Sequence, residues 1–135
     1  MNDPQPSSET GTPSPQLVTY THIIYALHAL AVLMGITTGA FIATQFVAGL
    51  PSIVAVIMNY ARRSEARGSY LESHFRWQIR TFWFAFAGVV AMSLLLITIV
   101  LIPFAWIGFM AIGVWIAYRV IRGWLALRDG RPMYV

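Results

Sequence analysis

The chain has 135 residues, of which 58% are hydrophobic and only 10% charged, with a mean hydropathy of +0.66. That leaves too little polar surface for a soluble domain of this size, so an integral membrane protein is expected. There is no cysteine, which excludes disulfides and Cys-ligated zinc or iron–sulfur sites. A net charge of +4 and a pI near 10 would fit a nucleic-acid binder by composition alone. The placement of the charges argues against it.

All nine basic residues are arginines, in two clusters beside long charge-free runs. Arg62, Arg63, Arg67, Arg76 and Arg80 form the first; Arg119, Arg122, Arg128 and Arg131 form the second. Residues 10–61 and 81–118 carry no formal charge. Since roughly 20 apolar residues cross a bilayer, the arginines read as topology determinants and contacts to anionic phospholipid head groups, with no nucleic-acid partner.

Residues 1–16 carry acids, four prolines and no basic residue. They are expected to form a disordered cytoplasmic tail and not a cleavable signal peptide. From Leu17 to about Tyr60 the chain is apolar. As one helix this would be roughly 65 Å long, about twice a bilayer core, so it must fold back. A break at Gly35-Ile-Thr-Thr-Gly39 gives spans of about 18–36 and 40–61, with Pro51 kinking the second. The competing break at Gly49-Leu50-Pro51 leaves a second piece of only about a dozen residues, re-entrant or too short to cross. The first is preferred.

A basic loop, Arg62 to Gly68, leads to Ser69-Tyr-Leu-Glu72, which fits a capping box. Beyond it Leu71, Phe75, Ile79 and Phe82 form an apolar stripe opposite a charged row of Glu72, Arg76 and Arg80. The spacing predicts an amphipathic, interfacial start to a third helix that spans about 81–101, with Trp77 and Trp83 at head-group depth. Pro103 suits the first turn of a fourth span, about 104–127, on which Arg119 and Arg122 can snorkel, and Gly130 and Pro132 end it. The expected fold is all-α: a four-helix membrane bundle of two hairpins in a single domain, residues 17–135. Two spans separate the arginine clusters, so both clusters and both termini fall on the cytoplasmic side of an inner membrane.

The segment Tyr70-Leu-Glu-Ser-His74-Phe-Arg-Trp-Gln78-Ile-Arg-Thr-Phe, with a His followed four residues later by Gln, resembles the third-helix entrance of a family of small bacterial membrane proteins of unknown function. That family is distantly similar to the four-helix Tic-twenty component of chloroplast protein import. The ending, from Tyr118 through Gly130 and Pro132 to Tyr134, is similar too, and the resemblance covers roughly residues 17–135. It departs at Trp77, where many members carry a smaller residue, and in the Arg-rich loop. The resemblance implies an architecture and, by distant analogy, a conduit.

The candidate working groups are polar residues near the arginine-rich end. His22, His28, Asn59, His74, Gln78 and Arg119 are expected to form a cytoplasmic polar pocket, or simply to satisfy one another at a bundle end. His22 and His28 are six residues apart, about 240° around a helix, and cannot clasp one ion; no metal or cofactor is expected. Three small-residue pairs, Gly35 with Gly39, Ala87 with Ala91 and Gly113 with Ala117, are candidate packing faces within the bundle or between protomers. Glu65, Glu72 and Asp129 lie in loops or at helix entries, and no serine has a plausible base and orienting acid. The expectation is a non-enzymatic structural, assembly or oligomer subunit, partnered by lipid and by itself or another membrane protein; the alternative is an oligomeric channel, transporter or translocon-like conduit.

Overall fold

The computed structural model describes residues 12–38 and 42–133. Among these residues the chain is all-helical: α1 (Pro15–Thr37), α2 (Ile42–Ala48), α3 (Leu50–Ala61), α4 (Leu71–Ile97) and α5 (Ile102–Arg128). Residues 1–11 of the expected tail, Gly39 and Tyr134 lie outside the described residues.

Local chemistry sets the ends. Ser14 caps α1, its hydroxyl accepting from the Leu17 amide at 3.2 Å, and Pro15 occupies the first turn, where a missing N–H costs nothing. Helix α1 therefore starts two residues before the expected edge of the tail. Gly49 is extended, with φ −73° and ψ 139°, and Pro51 sits in the first turn of α3. Proline removes a helical donor and crowds the preceding turn, so α2 and α3 meet at 51° where a kinked single helix was expected. Helix α4 stops at Ile97, short of the expected residue 101: Thr98 is extended and its hydroxyl donates to the Leu95 carbonyl at 2.8 Å. A single 3₁₀ turn, Ile99–Leu101, then leads into α5, with Pro103 in its first turn.

The capping box is displaced. Ser69 Oγ accepts from the Leu71 amide at 3.3 Å, not from Glu72, and the Glu72 carboxylate accepts from the Gly68 amide at 3.0 Å. The reason is Gly68: at φ +79° it turns the chain one residue earlier than the box requires.

Helices α1, α4 and α5 are each long and apolar enough to cross a membrane, and α2 with α3 passes the same test as a bent pair. Their apolar windows are only 33%, 22% and 28% buried within the protein. Most of their apolar surface thus faces outward, which lipid tolerates and water does not.

Contacts run antiparallel along both halves of the chain. Gly35 meets Ile42, His28 stacks on Phe46 and bonds Ser52, and Tyr20 bonds the Met58 carbonyl. Likewise Met92 meets Gly108, Gly88 meets Ile112, and Trp77 bonds the Arg119 carbonyl. Both arginine clusters therefore lie at one end of the bundle. A first core, built around Phe46, Phe82, Phe109 and Ile116, fills the middle. A second, built around Tyr25, Leu71, Phe75 and Leu127, fills the arginine-rich end.

The small-residue faces differ in part from the expected ones. Gly35 is buried and helical; a Cβ there would lie 2.8 Å from Ile42 Cα, so it serves close packing. Gly113 approaches Ile42 in the same way at 3.1 Å, with Ala117 half-buried. Ala87 and Ala91, in contrast, are exposed. The buried face of α4 runs through Gln78, Thr81, Phe82 and Ala85, and at 100° per residue Ala87 falls about 200° from Ala85. Gly123 was not anticipated: a Cβ there would stand 2.5 Å from the Tyr25 hydroxyl and 2.7 Å from its ring.

Gly123→Ala should therefore destabilise the bundle by about 1–3 kcal/mol, because Tyr25 moves aside only by releasing its hydrogen bond. Ala87→Leu and Ala91→Leu should stay within about 0.5 kcal/mol of the parent. Thermal unfolding in mild detergent measures all three, and a loss at Ala87 equal to that at Gly123 would refute this division of faces.

Candidate functional site

Five of the six candidate polar residues fall into one connected region, running from His28 in the middle of the bundle toward the arginine-rich end. His74 is at its centre, fully buried on α4. Its Nε2 lies 2.7 Å from the Arg131 carbonyl oxygen and its Nδ1 lies 2.9 Å from the Tyr25 hydroxyl. A carbonyl only accepts, so Nε2 carries the proton; in the neutral ring Nδ1 then accepts from Tyr25. One imidazole thus joins α1, α4 and the chain beyond α5.

That last segment is positioned by a helix-terminating turn. The Arg131 amide donates to the Ala126 carbonyl at 2.9 Å and the Gly130 amide to the Leu127 carbonyl at 3.0 Å. This is a Schellman pattern, and Gly130 at φ +67° supplies the left-handed residue it needs. The turn aims the chain back at α4, where Ser73 Oγ accepts from the Met133 amide at 3.0 Å and Met133 is buried.

Asn59 of α3 donates to Gln78 Oε1 of α4 at 2.6 Å. His28 pairs through Nδ1 with Ser52 Oγ at 3.1 Å and stacks on Phe46 with ring centroids 4.9 Å apart. His28 Nε2, Asn59 Oδ1 and Gln78 Nε2 have no partner among the described residues.

Arg119 does not snorkel outward. Its guanidinium lies 3.5 Å over the Trp77 ring and donates to Thr81 Oγ1 at 2.6 Å and the Trp77 carbonyl at 3.3 Å. The Trp77 indole N–H returns a bond to the Arg119 carbonyl at 3.1 Å. A tryptophan face and two oxygens stabilise the cation where no carboxylate is recorded beside it. Trp77 is thus the platform for Arg119. His28, Gln78 and Arg119 line one narrow cavity of about 10 Å³ with Tyr25, Trp77 and Thr81.

His22 stands apart. It is only half-buried, and its Nδ1 accepts from the Trp124 indole at 3.2 Å on the side of α1 that faces α5. It lines a different groove from the cavity that holds His28, although both were expected in one pocket. No group of three or more His, Asp or Glu residues among the described residues has metal-binding geometry.

The remaining arginines face outward. Arg62 pairs with Glu65 at 2.6 Å and lies over the Tyr20 ring, while Arg76 pairs with Glu72 at 3.5 Å as the i, i+4 spacing anticipated. Arg63, Arg67 and Arg80 are exposed, Arg80 near the Phe84 ring; Arg128 and Arg131 share Asp129, and Arg122 reaches the Tyr118 hydroxyl.

Sequence reasoning missed Tyr25, Ser52, Ser73 and Thr81. Tyr25 and His28 do share the buried face of α1 with Thr21 and Ile24, so the helical period was an available signal for Tyr25. The two serines and the threonine carried none, because hydroxyls on apolar helices ordinarily bond their own preceding turn.

The Asn59–Gln78 bond is open to a double-mutant cycle. Gln78→Met alone leaves the Asn59 amide buried without its acceptor and should lose about 1–2 kcal/mol. Adding Asn59→Leu should recover most of that loss, read by unfolding in detergent. Simple additivity of the two changes would show that the bond does not couple α3 to α4.

No family model, curated protein or solved structure matches the chain.

Proposed function

We propose that this is a non-enzymatic, four-span protein of a bacterial inner membrane, arranged as two helical hairpins with both termini in the cytoplasm, that acts as an assembly or oligomer subunit. The observation that carries the reading is how the buried polar groups are used. Tyr25 with His74, His28 with Ser52, Asn59 with Gln78, and Arg119 with Trp77 and Thr81 each link different helices. These are ties between helices, the use expected of polar residues that hold a membrane bundle together.

Charge supports the orientation. The basic residues lie at one end of the bundle, and the connection near Pro103 at the other has none, the asymmetry associated with a cytoplasmic arginine-rich side. Reading α2 and α3 together as one broken span gives the even count that places both clusters there. The resemblance at His74 and Gln78 to small bacterial membrane proteins supports the choice of membrane, and a lipid and protein partnership follows from the same reading.

Because the chain lacks cysteine, single replacements report topology cleanly. In right-side-out vesicles, Thr98→Cys should react with an impermeant thiol reagent and Ser64→Cys and Asp129→Cys should not. Reaction of Ser64→Cys and Thr98→Cys from the same side would overturn the four-span reading. Purified protein in proteoliposomes should pass no K⁺, Cl⁻ or H⁺ above the empty-liposome rate; measurable flux would favour a conduit instead.

A further inference from the structure

Helix α5 presents an outward apolar stripe of Ile107, Met110, Val114, Tyr118, Ile121 and Leu125, each between 46% and 67% exposed. At the arginine-rich end Ile121 and Leu125 become a ridge with a groove on either side. The larger, about 520 Å³, lies between α5 and the returning segment Arg131-Pro132-Met133. The smaller, about 380 Å³, shares Ile121 and Leu125 and is edged by His22, Trp124 and Arg128. Arg122 and Arg131 line the first groove and Arg128 the second, so three arginines border the pair.

We propose that the two grooves seat one anionic diacyl phospholipid, with its phosphate between Arg122 and Arg131 and one acyl chain on each side of the Ile121–Leu125 ridge. This rests on reading the arginine-rich end as the membrane–water boundary. Three features select that occupant. The charge is complementary: Arg122 is engaged by the Tyr118 hydroxyl, and Arg128 and Arg131 have the single carboxylate of Asp129 between them. Guanidinium forks match phosphate oxygens. The shape is paired, as two chains require. The depth also fits: from Arg122 to Met110 the stripe descends roughly 18 Å, close to one leaflet of a ~30 Å core.

The far wall of the larger groove is held in place. The Schellman turn at Gly130 reverses the chain, His74 Nε2–H holds the Arg131 carbonyl, and Ser73 holds the Met133 amide. His74 thus acts as a positioning residue for this lipid site without touching the lipid.

The test is native mass spectrometry of the full chain in mild detergent, titrated separately with phosphatidylglycerol and with phosphatidylcholine of identical acyl chains. The expected result is a one-to-one adduct that strongly favours phosphatidylglycerol. Arg122→Gln with Arg131→Gln should weaken that adduct roughly 30-fold and remove most of its preference over phosphatidylcholine. Ala126→Trp fills the larger groove with every arginine in place and should abolish the adduct, so the proposal is tested even where the arginine variant folds poorly. Arg63→Gln with Arg67→Gln, in the loop, should leave the adduct intact. Equal binding of the two lipids, an equal loss in the loop variant, or displacement by excess inorganic phosphate would each overturn the site. Cysteine labelling reads the membrane topology separately, so a wrong topology and a wrong lipid site give different failures.

Discussion

A polar side chain among apolar helices has little water to turn to, so its partners must come from the protein, and toward the arginine-rich end of this bundle each buried polar side chain finds at least one. The hydroxyl of Tyr25, the imidazole of His74 and the carbonyl of Arg131 form one chain of donors and acceptors across three segments. Removing the middle member leaves the buried Tyr25 hydroxyl unpaired and frees the Arg131 carbonyl. The neighbouring bonds obey the same requirement: Asn59 to Gln78 fastens α3 to α4, and His28 to Ser52 fastens α1 to α3. Individually such bonds are modest in a membrane setting, on average about 0.6 kcal/mol. Their larger effect is on register, because each fits only one alignment of its helices.

Close packing fixes the same register independently. Gly35 and Gly113 both admit Ile42, and Gly123 admits Tyr25, so α2 and α5 approach α1 and one another at positions where a methyl group would intrude. The polar and steric requirements meet at Tyr25, whose ring lies against Gly123 while its hydroxyl engages His74. Arg119 adds a third kind of tie. A guanidinium on the Trp77 face joins α4 to α5 at the boundary between the apolar core and the charged end.

The opposite end is built differently. From Ile97 to Phe104 the chain has no charge, and large apolar side chains such as Ile97 and Ile99 are 76% and 82% exposed. Close apolar packing, at Met92 against Gly108 for example, joins α4 to α5 there, and Thr98 bonds within its own turn. Charge is thus polarised along the molecule, with the arginines gathered at one end.

Much of this was legible in the chain itself. Charge-free runs of spanning length, prolines at 51 and 103, and the glycine at 130 set where helices run and stop, because these effects act over a few residues. The apolar stripe of Leu71, Phe75, Ile79 and Phe82 was legible for the same reason, and all four are buried. The candidate polar residues were identifiable as polar groups in apolar surroundings. Their partners were not: Tyr25 and His74 are 49 residues apart, and Trp124 and His22 are 102 apart. The pair Ala87 and Ala91 was the wrong packing face of α4, although the stripe through Phe82 continues three residues on to the buried Ala85. Sequence alone thus determined that the chain is helical, with apolar helices long enough to span a membrane, both consequences of local geometry and transfer free energy. Which polar atoms meet, and that Arg119 turns inward to Trp77, depended on distances between helices that only the folded chain sets.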